Sequence, residues 1–302
     1  FSLGVDNGYT QQDIIEASRK FTGFRIRTDP ETEQAFVEFD PERHDPSDVV
    51  IFGETLRGRS GPDAHLAYRD MVEHTLEHRN AAEFICEKLF AYFCYPDPEQ
   101  EIVDSLARTL RENDYELKPV LRRIFLSEAF YSERSREAQV KNPIEFAVGF
   151  IRTTGLEVPV DDLDNRLRAV GMRPTQPPNV NGWPKGRLWL TGQSLLERAN
   201  LINEAITERE FQEQELRVSF DPLLPIPSQR SPENVVRGAA SLLDIHLSSS
   251  EFGRYVRYLN TDVDDEGNVE PDPFDASNPE HIDKKFRGLL YLLAQHPEYQ
   301  TR

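Results

Sequence analysis

Between Gln176 and Leu190 the chain reads QPPNVNGWPKGRLWL, a stretch holding both of its tryptophans among prolines, glycines and asparagines. Proline fixes φ and lacks an N–H, and glycine opens positive φ, so no long helix or strand can cross it. A long structured loop is therefore expected over about 173–190. Trp183 and Trp189, with Asn179, Asn181 and Arg187, have the residue types of a sugar-binding platform, because aromatic faces stack on pyranose C–H surfaces and amides bind hydroxyls. The indoles serve equally well to pin the loop against helices, and that role is the expected one.

Around the loop the periodicity is helical. Thr10 can cap a helix over 11–21 whose apolar positions are Ile14, Ile15, Ala17 and Phe21, with Gly23 as its stop. Phe24–Arg27 and Ala35–Phe39 alternate in polarity, and Val49–Phe52 is a short β-branched run, so a small antiparallel excursion is expected near 24–52. Helices are then expected at 63–78, 80–94, 98–113, 117–127, 142–154, 160–171, 191–209, 231–244, 250–259 and 280–295. Asn142, Pro143, Glu145 and Gly155 give cap, first turn, capping-box carboxylate and stop for the helix at 142–154, whose stripe of Ile144, Ala147, Val148 and Ile151 is the predicted core face. The fold class is thus mainly α, a multi-helix globular bundle, with the chain as one large domain and a sub-boundary at the proline-rich segment 220–232.

With 35 basic and 53 acidic side chains, the formal charge of −18 repels nucleic acid and anionic lipid and favours cations or basic surfaces. No apolar run reaches about 18 residues, so no transmembrane segment is expected. Cys86 and Cys94 lie about 12 Å apart along one helical run, beyond disulfide reach, and are expected as buried thiols. The first residues, FSLG, read as the end of an element, so a further N-terminal portion is expected.

Three further constellations carry chemistry. His74-Thr75-Leu76-Glu77-His78 matches the H-x-x-E-H pattern, in which two histidines bind zinc and the glutamate acts as base. On a helical wheel, however, Leu66, Val72 and Leu76 cluster on one side and His74 and His78 fall opposite, which predicts a solvated pair. Asp262, Asp264 and Glu266, ahead of Gly267, resemble the start of a calcium loop, but Pro273 stands where the bidentate glutamate belongs. Eight carboxylates and no Lys or Arg lie between Asn260 and His281, which makes a calcium ion plausible against a solvated acidic loop. His44-Asp45 has the types for general acid and base work, although a turn role for Asp45 competes with it.

Several segments together resemble an uncharacterised bacterial family, domain of unknown function 1800. They are Phe1–Gly4, Gly8–Thr10, Phe21–Phe24, Phe39 with His44-Asp45, Phe84-Ile85 with Lys88-Leu89, Ser127–Tyr131, Val140–Phe146, Pro177–Val180 with Gly182–Pro184, Arg287–Leu290 and Pro297–Tyr299. The resemblance implies a mainly helical, often exported protein, periplasmic, extracellular or in the cell envelope, with a helical region ahead of Phe1. It implies a protein partner, since such genes commonly neighbour those of proteins resembling sulfatases and phosphatases. It brings no catalytic residue. The expected function is binding or assembly in the envelope. The alternatives are a secreted hydrolase of extracellular polymer such as polysaccharide, with His44, Asp45, Lys141 and Glu145 as its polar groups, and a calcium-stabilised structural assembly.

Overall fold

The computed structural model describes residues 2–5, 7–136, 138–179, 181–207 and 220–302, with the backbone alone of 209–211 and 214–216. The chain is mainly helical, its sheets among the described residues are two-stranded and antiparallel, and it divides into two compact units, Phe1–Ser135 and Arg136–Arg302. No helix among the described residues is long and apolar enough to cross a membrane.

The first unit opens on helix α1 (Gln11–Lys20), which begins at a reciprocal cap. The Thr10 amide donates to Asp13 Oδ2 at 2.6 Å and the Asp13 amide donates to Thr10 Oγ1 at 3.2 Å. Gly23 ends the turn that follows, at φ +94°, where a Cβ would lie 2.6 Å from the Phe39 ring. Two hairpins come next. Strand β1 (Phe24–Thr28) pairs with β2 (Ala35–Phe39), placing Phe24 opposite Phe39, and β3 (Val49–Ile51) pairs with β4 (Glu54–Leu56). They are the antiparallel excursion expected over 24–52. Helices α2 (Ala67–Glu77), α3 (Arg79–Phe93), α4 (Gln100–Glu112) and α5 (Leu117–Phe125) complete the unit, burying Cys86, Phe90, Leu110, Val120 and Ile124. Lys20 is buried at the end of α1, its Nζ donating to the carbonyls of Ser47 at 3.2 Å and Arg57 at 2.8 Å.

In the second unit, α6 (Pro143–Thr154) starts at the Asn142–Glu145 capping box and stops at Gly155 in the left-handed region. Its inward face is Phe146, Ala147 and Phe150 rather than the predicted stripe through Val148 and Ile151, with Ile144 only partly buried. The larger aromatic rings take the core because they remove more apolar surface from water. Helices α7 (Val160–Ala169), α8 (Gly192–Ala205), α9 (Pro232–Leu242) and α10 (Ser249–Leu259) follow, and a π turn at Ile282–Phe286 leads into a C-terminal helix, Arg287–Ala294. The short hairpins β5 (Arg209–Phe211) with β6 (Gln214–Leu216), and β7 (Thr261–Val263) with β8 (Val269–Pro271), project between helices. Phe220 and Leu224 enter the same core as Val235, Ile202 and Phe286. The proline-rich segment 220–232 is thus packed within the second unit, and the division of the chain falls near residue 135.

Arg198 on α8 is 0% exposed. One terminal nitrogen donates to Gln300 Oε1 at 3.1 Å and the other to the Lys141 carbonyl at 2.7 Å, while the guanidinium lies 4.8 Å from the Phe146 ring centroid. It ties together the two chain segments, Gln139–Lys141 and Gln300–Arg302, that pair ahead of α6. Burial pushes its pKa down to about 10. Replacing it, Arg198→Ala, strands two buried acceptors and opens a void, so urea denaturation should show a loss of about 2–4 kcal/mol.

Glu251 accepts from the Ser248 amide at 2.9 Å and hydroxyl at 2.6 Å, with His296 Nε2 at 3.4 Å from its other oxygen. The Ser248 hydroxyl bond, first among these, lowers its pKa from 4.5 to about 2. A depressed carboxyl pKa stabilises the fold above the ordinary value and loses that effect as pH falls toward the folded one. Stability measured by denaturation should therefore decline between pH 4.5 and about 2, with a shallower slope in Glu251→Gln.

Candidate functional site

A cleft of about 510 Å³ lies in the first unit, lined by Gly8, Thr10, Asp13, Phe52, Gly53, Glu54, His74, Glu77 and His78. Asp13 builds it. While Oδ2 caps α1, Oδ1 accepts the amide of Phe52 at 2.8 Å. Those bonds, the Thr10 hydroxyl's first, hold the carboxyl below its ordinary pKa. Phe52 and Gly53 form the two-residue turn between β3 and β4, at φ +54° and +82°, a turn in which both central residues are left-handed. For phenylalanine that conformation costs about 1 kcal/mol, and the Asp13 bond offsets it.

The turn aims the Phe52 ring at two imidazoles. Its centroid lies 5.4 Å from that of His74, nearly parallel at 23°, and 4.9 Å from that of His78. His74 Nε2 sits 3.1 Å from the Ile51 carbonyl, which can only accept, so Nε2 donates to it. Its Nδ1 faces Glu77 Oε2 at 3.8 Å and Glu54 Oε2 at 4.0 Å. His78 Nδ1 accepts the Asn80 amide at 3.2 Å and caps α3. Gly8 approaches so closely that a Cβ there would stand 3.1 Å from the His78 ring.

The inward face of α2 therefore differs from the one expected, with Leu66 and Leu76 only half-buried. Met71 is buried and the His74 side chain is 11% exposed, while Val72 faces solvent. Val49 and Ile51, contributed by the β3–β4 hairpin, cover Met71 and so decide which side of the helix turns in. The H-x-x-E-H pattern also spans a break, because α2 stops at Glu77 and His78 is extended, at φ −62° and ψ 131°. The two histidines do not project from successive turns of one helix, and among the described residues no three metal-ligating side chains converge.

The remaining candidates occupy structural positions. His44 is buried with Nδ1 at 3.1 Å from the Thr22 carbonyl, and Asp45 binds Arg19 at 2.7 Å and the Ser47 amide at 3.0 Å. The Arg19 guanidinium holds the Asp45 carboxyl far below the usual range. In the second unit, Lys141 Nζ donates to the Tyr299 carbonyl at 2.9 Å, and Glu145 caps α6 and meets Arg302 at 3.2 Å. Trp189 is 4% exposed and its carbonyl accepts from Ser194. Trp183 is half-buried, its indole N–H without an acceptor among the described residues. Asn179 closes a turn onto the Asn181 amide at 2.8 Å, Asn181 and Arg187 are exposed, and Val180 lies outside the described residues.

At the β7–β8 hairpin, Asp264 takes up the amides of Glu266 and Asn268, at 2.9 and 2.8 Å. Asp262 and Asp272 pair with Lys284 at 2.8 Å and Lys285 at 2.6 Å. The lysines that neutralise this acidic stretch lie just beyond it in sequence. Of the residues that shape the cleft, Phe52 was visible in the sequence only as a strand end, and Asp13 and Glu54 were not singled out.

The model of a family described as a protein of unknown function, DUF1800, matches residues 1–301, and the chain belongs to that family. No curated protein and no solved structure matches it.

Asp13→Ala should remove the cap of α1 and the acceptor for Phe52 together, costing about 1–3 kcal/mol in chemical denaturation. The ring-proton shifts of His74 should move with it in NMR spectra, as the Phe52 ring leaves its stacked position.

Proposed function

We propose that this protein acts by binding, in an exported or envelope-associated setting, and that the cleft beside α1 and α2 is its binding site. The observation that carries this reading is the composition of the cleft, whose lining holds the exposed carboxylates of Glu54 and Glu77 beside His74, with no serine, cysteine or lysine. A polymer hydrolase built on His44, Asp45, Lys141 and Glu145 has less support, because each of those side chains is engaged in a turn, a cap or a carbonyl contact. The export setting and a partner of the sulfatase- or phosphatase-like class are supported by family resemblance.

Reversing charge with Glu54→Arg and Glu77→Arg tests the reading. Both side chains are exposed, so the folded state should change by no more than about 0.5 kcal/mol. Proteins and small molecules co-purified with the wild-type and doubly substituted chains from the native envelope, quantified by mass spectrometry, should differ by a set that the substituted chain loses. Identical sets would remove the cleft as the binding site.

A further inference from the structure

We propose that the β1–β2 hairpin, a surface independent of the cleft, is an association site for a second copy of this chain, the two β2 edges pairing about a twofold axis into a four-stranded antiparallel sheet. The Asp40 amide donates to the Gly23 carbonyl at 2.8 Å and the Asp29 amide to the Gln34 carbonyl at 2.9 Å, one bond at each end of the ladder. Antiparallel pairs alternate, so the pairs Arg25–Glu38 and Arg27–Phe36 exchange hydrogen bonds and the pairs at Phe24, Ile26 and Thr28 do not. The backbone N–H and C=O groups of Ala35, Val37 and Phe39 therefore point away from β1. Among the described residues no third strand covers them. Ile26 and Val37, opposite each other on one face, are 79% and 67% exposed, and Phe36 on the other face is exposed too. Edge strands are ordinarily blunted by proline, lysine or a covering element, and β2, which reads AFVEF, has neither proline nor lysine.

What fits this edge is the edge itself. Twofold pairing centred on Val37 sets Val37 against its own copy and Ala35 against Phe39, with their outward N–H and C=O groups in hydrogen-bonded register. On the other face Phe36 meets Glu38, whose carboxylate is neutralised within its own hairpin by Arg27 at 2.9 Å, so no like charges stand opposite one another. The β1 edge does not serve. A twofold register centred on Arg25, Ile26 or Arg27 sets an arginine against an arginine each time. Pairing β1 of one copy with β2 of the next leaves an open edge at each end and runs on without closing. The paired strands overlap over five residues, about 17 Å, which is small for an interface, so the dimer is a weak and reversible one with a Kd of roughly 0.1 mM. The charge of −18 on each copy opposes it, most strongly at low salt.

Sedimentation velocity of the whole chain over about 20–500 µM tests this, and should show a monomer–dimer equilibrium that shifts toward dimer between about 0.05 and 0.5 M NaCl. Val37→Pro removes an outward N–H and leaves the hairpin's own ladder intact, and should weaken association roughly tenfold. Val37→Lys changes no backbone group and sets two ammonium groups face to face; it should weaken association to the same extent, with the circular dichroism of the wild type. Ile26→Pro, the equivalent change on the β1 edge, should leave association unchanged. Cα atoms of a hydrogen-bonded antiparallel pair stand about 5.5 Å apart, within disulfide reach, so Val37→Cys should give a disulfide-linked dimer on air oxidation. Ile26→Cys should do so roughly tenfold more slowly, and the wild type, with Cys86 and Cys94 buried, not at all. A chain that stays monomeric at about 500 µM in both salts would overturn the proposal. So would association that both Val37 variants leave unchanged, or that Ile26→Pro weakens as much as Val37→Pro does.

Discussion

The carboxylate of Asp13 is the interaction on which the first unit's architecture turns. One oxygen closes the first turn of α1 and the other holds the amide of a phenylalanine in left-handed backbone. A helix start and a hairpin turn, 39 residues apart in sequence, are thus fixed to a single group. Because the turn is fixed, the Phe52 ring is fixed, and with it the position of the two imidazoles it packs against. A lone aromatic in αL would be strained without this anchor, so the cleft and the cap stand or fall together.

The second unit uses a different device. Arg198 lies in the core with hydrogen bonds to a carbonyl and an amide oxygen and no carboxylate partner among the described residues. A guanidinium is suited to that place because its planar donors reach acceptors on two chain segments at once, while its face rests on Phe146. The desolvation that lowers its pKa is offset by those bonds. Nearby, the tryptophan loop plants Trp189 in the core and leaves its asparagines and Arg187 outside. It behaves as a shaped connection between α7 and α8, held by one indole.

Local signals explain what could be read in advance. Thr10, Asn142 with Glu145, and Gly155 act through hydrogen bonds and dihedral preferences within three or four residues, so helix starts and stops at 11, 143 and 154 follow from sequence alone. The acidic stretch at 260–281 was harder to judge, because its neutralising lysines, Lys284 and Lys285, belong to the next helical segment. The wheel for α2 erred for a similar reason. Leu66, Val72 and Leu76 form a plausible apolar stripe on an isolated helix, but a helix buries the face its neighbours cover.

The sequence by itself determined that the chain is mainly helical, where most helices begin and end, that a small antiparallel excursion interrupts them near 24–52, and that its formal net charge is −18. Only the tertiary structure decided that His74 turns inward, that the Phe52 ring packs against His74 and His78, and that Glu54 and Glu77 face His74 Nδ1. The reason is physical: propensity and capping act over one helical turn, whereas the choice of buried face depends on apolar partners such as Val49 and Ile51, supplied by residues more than 20 positions away.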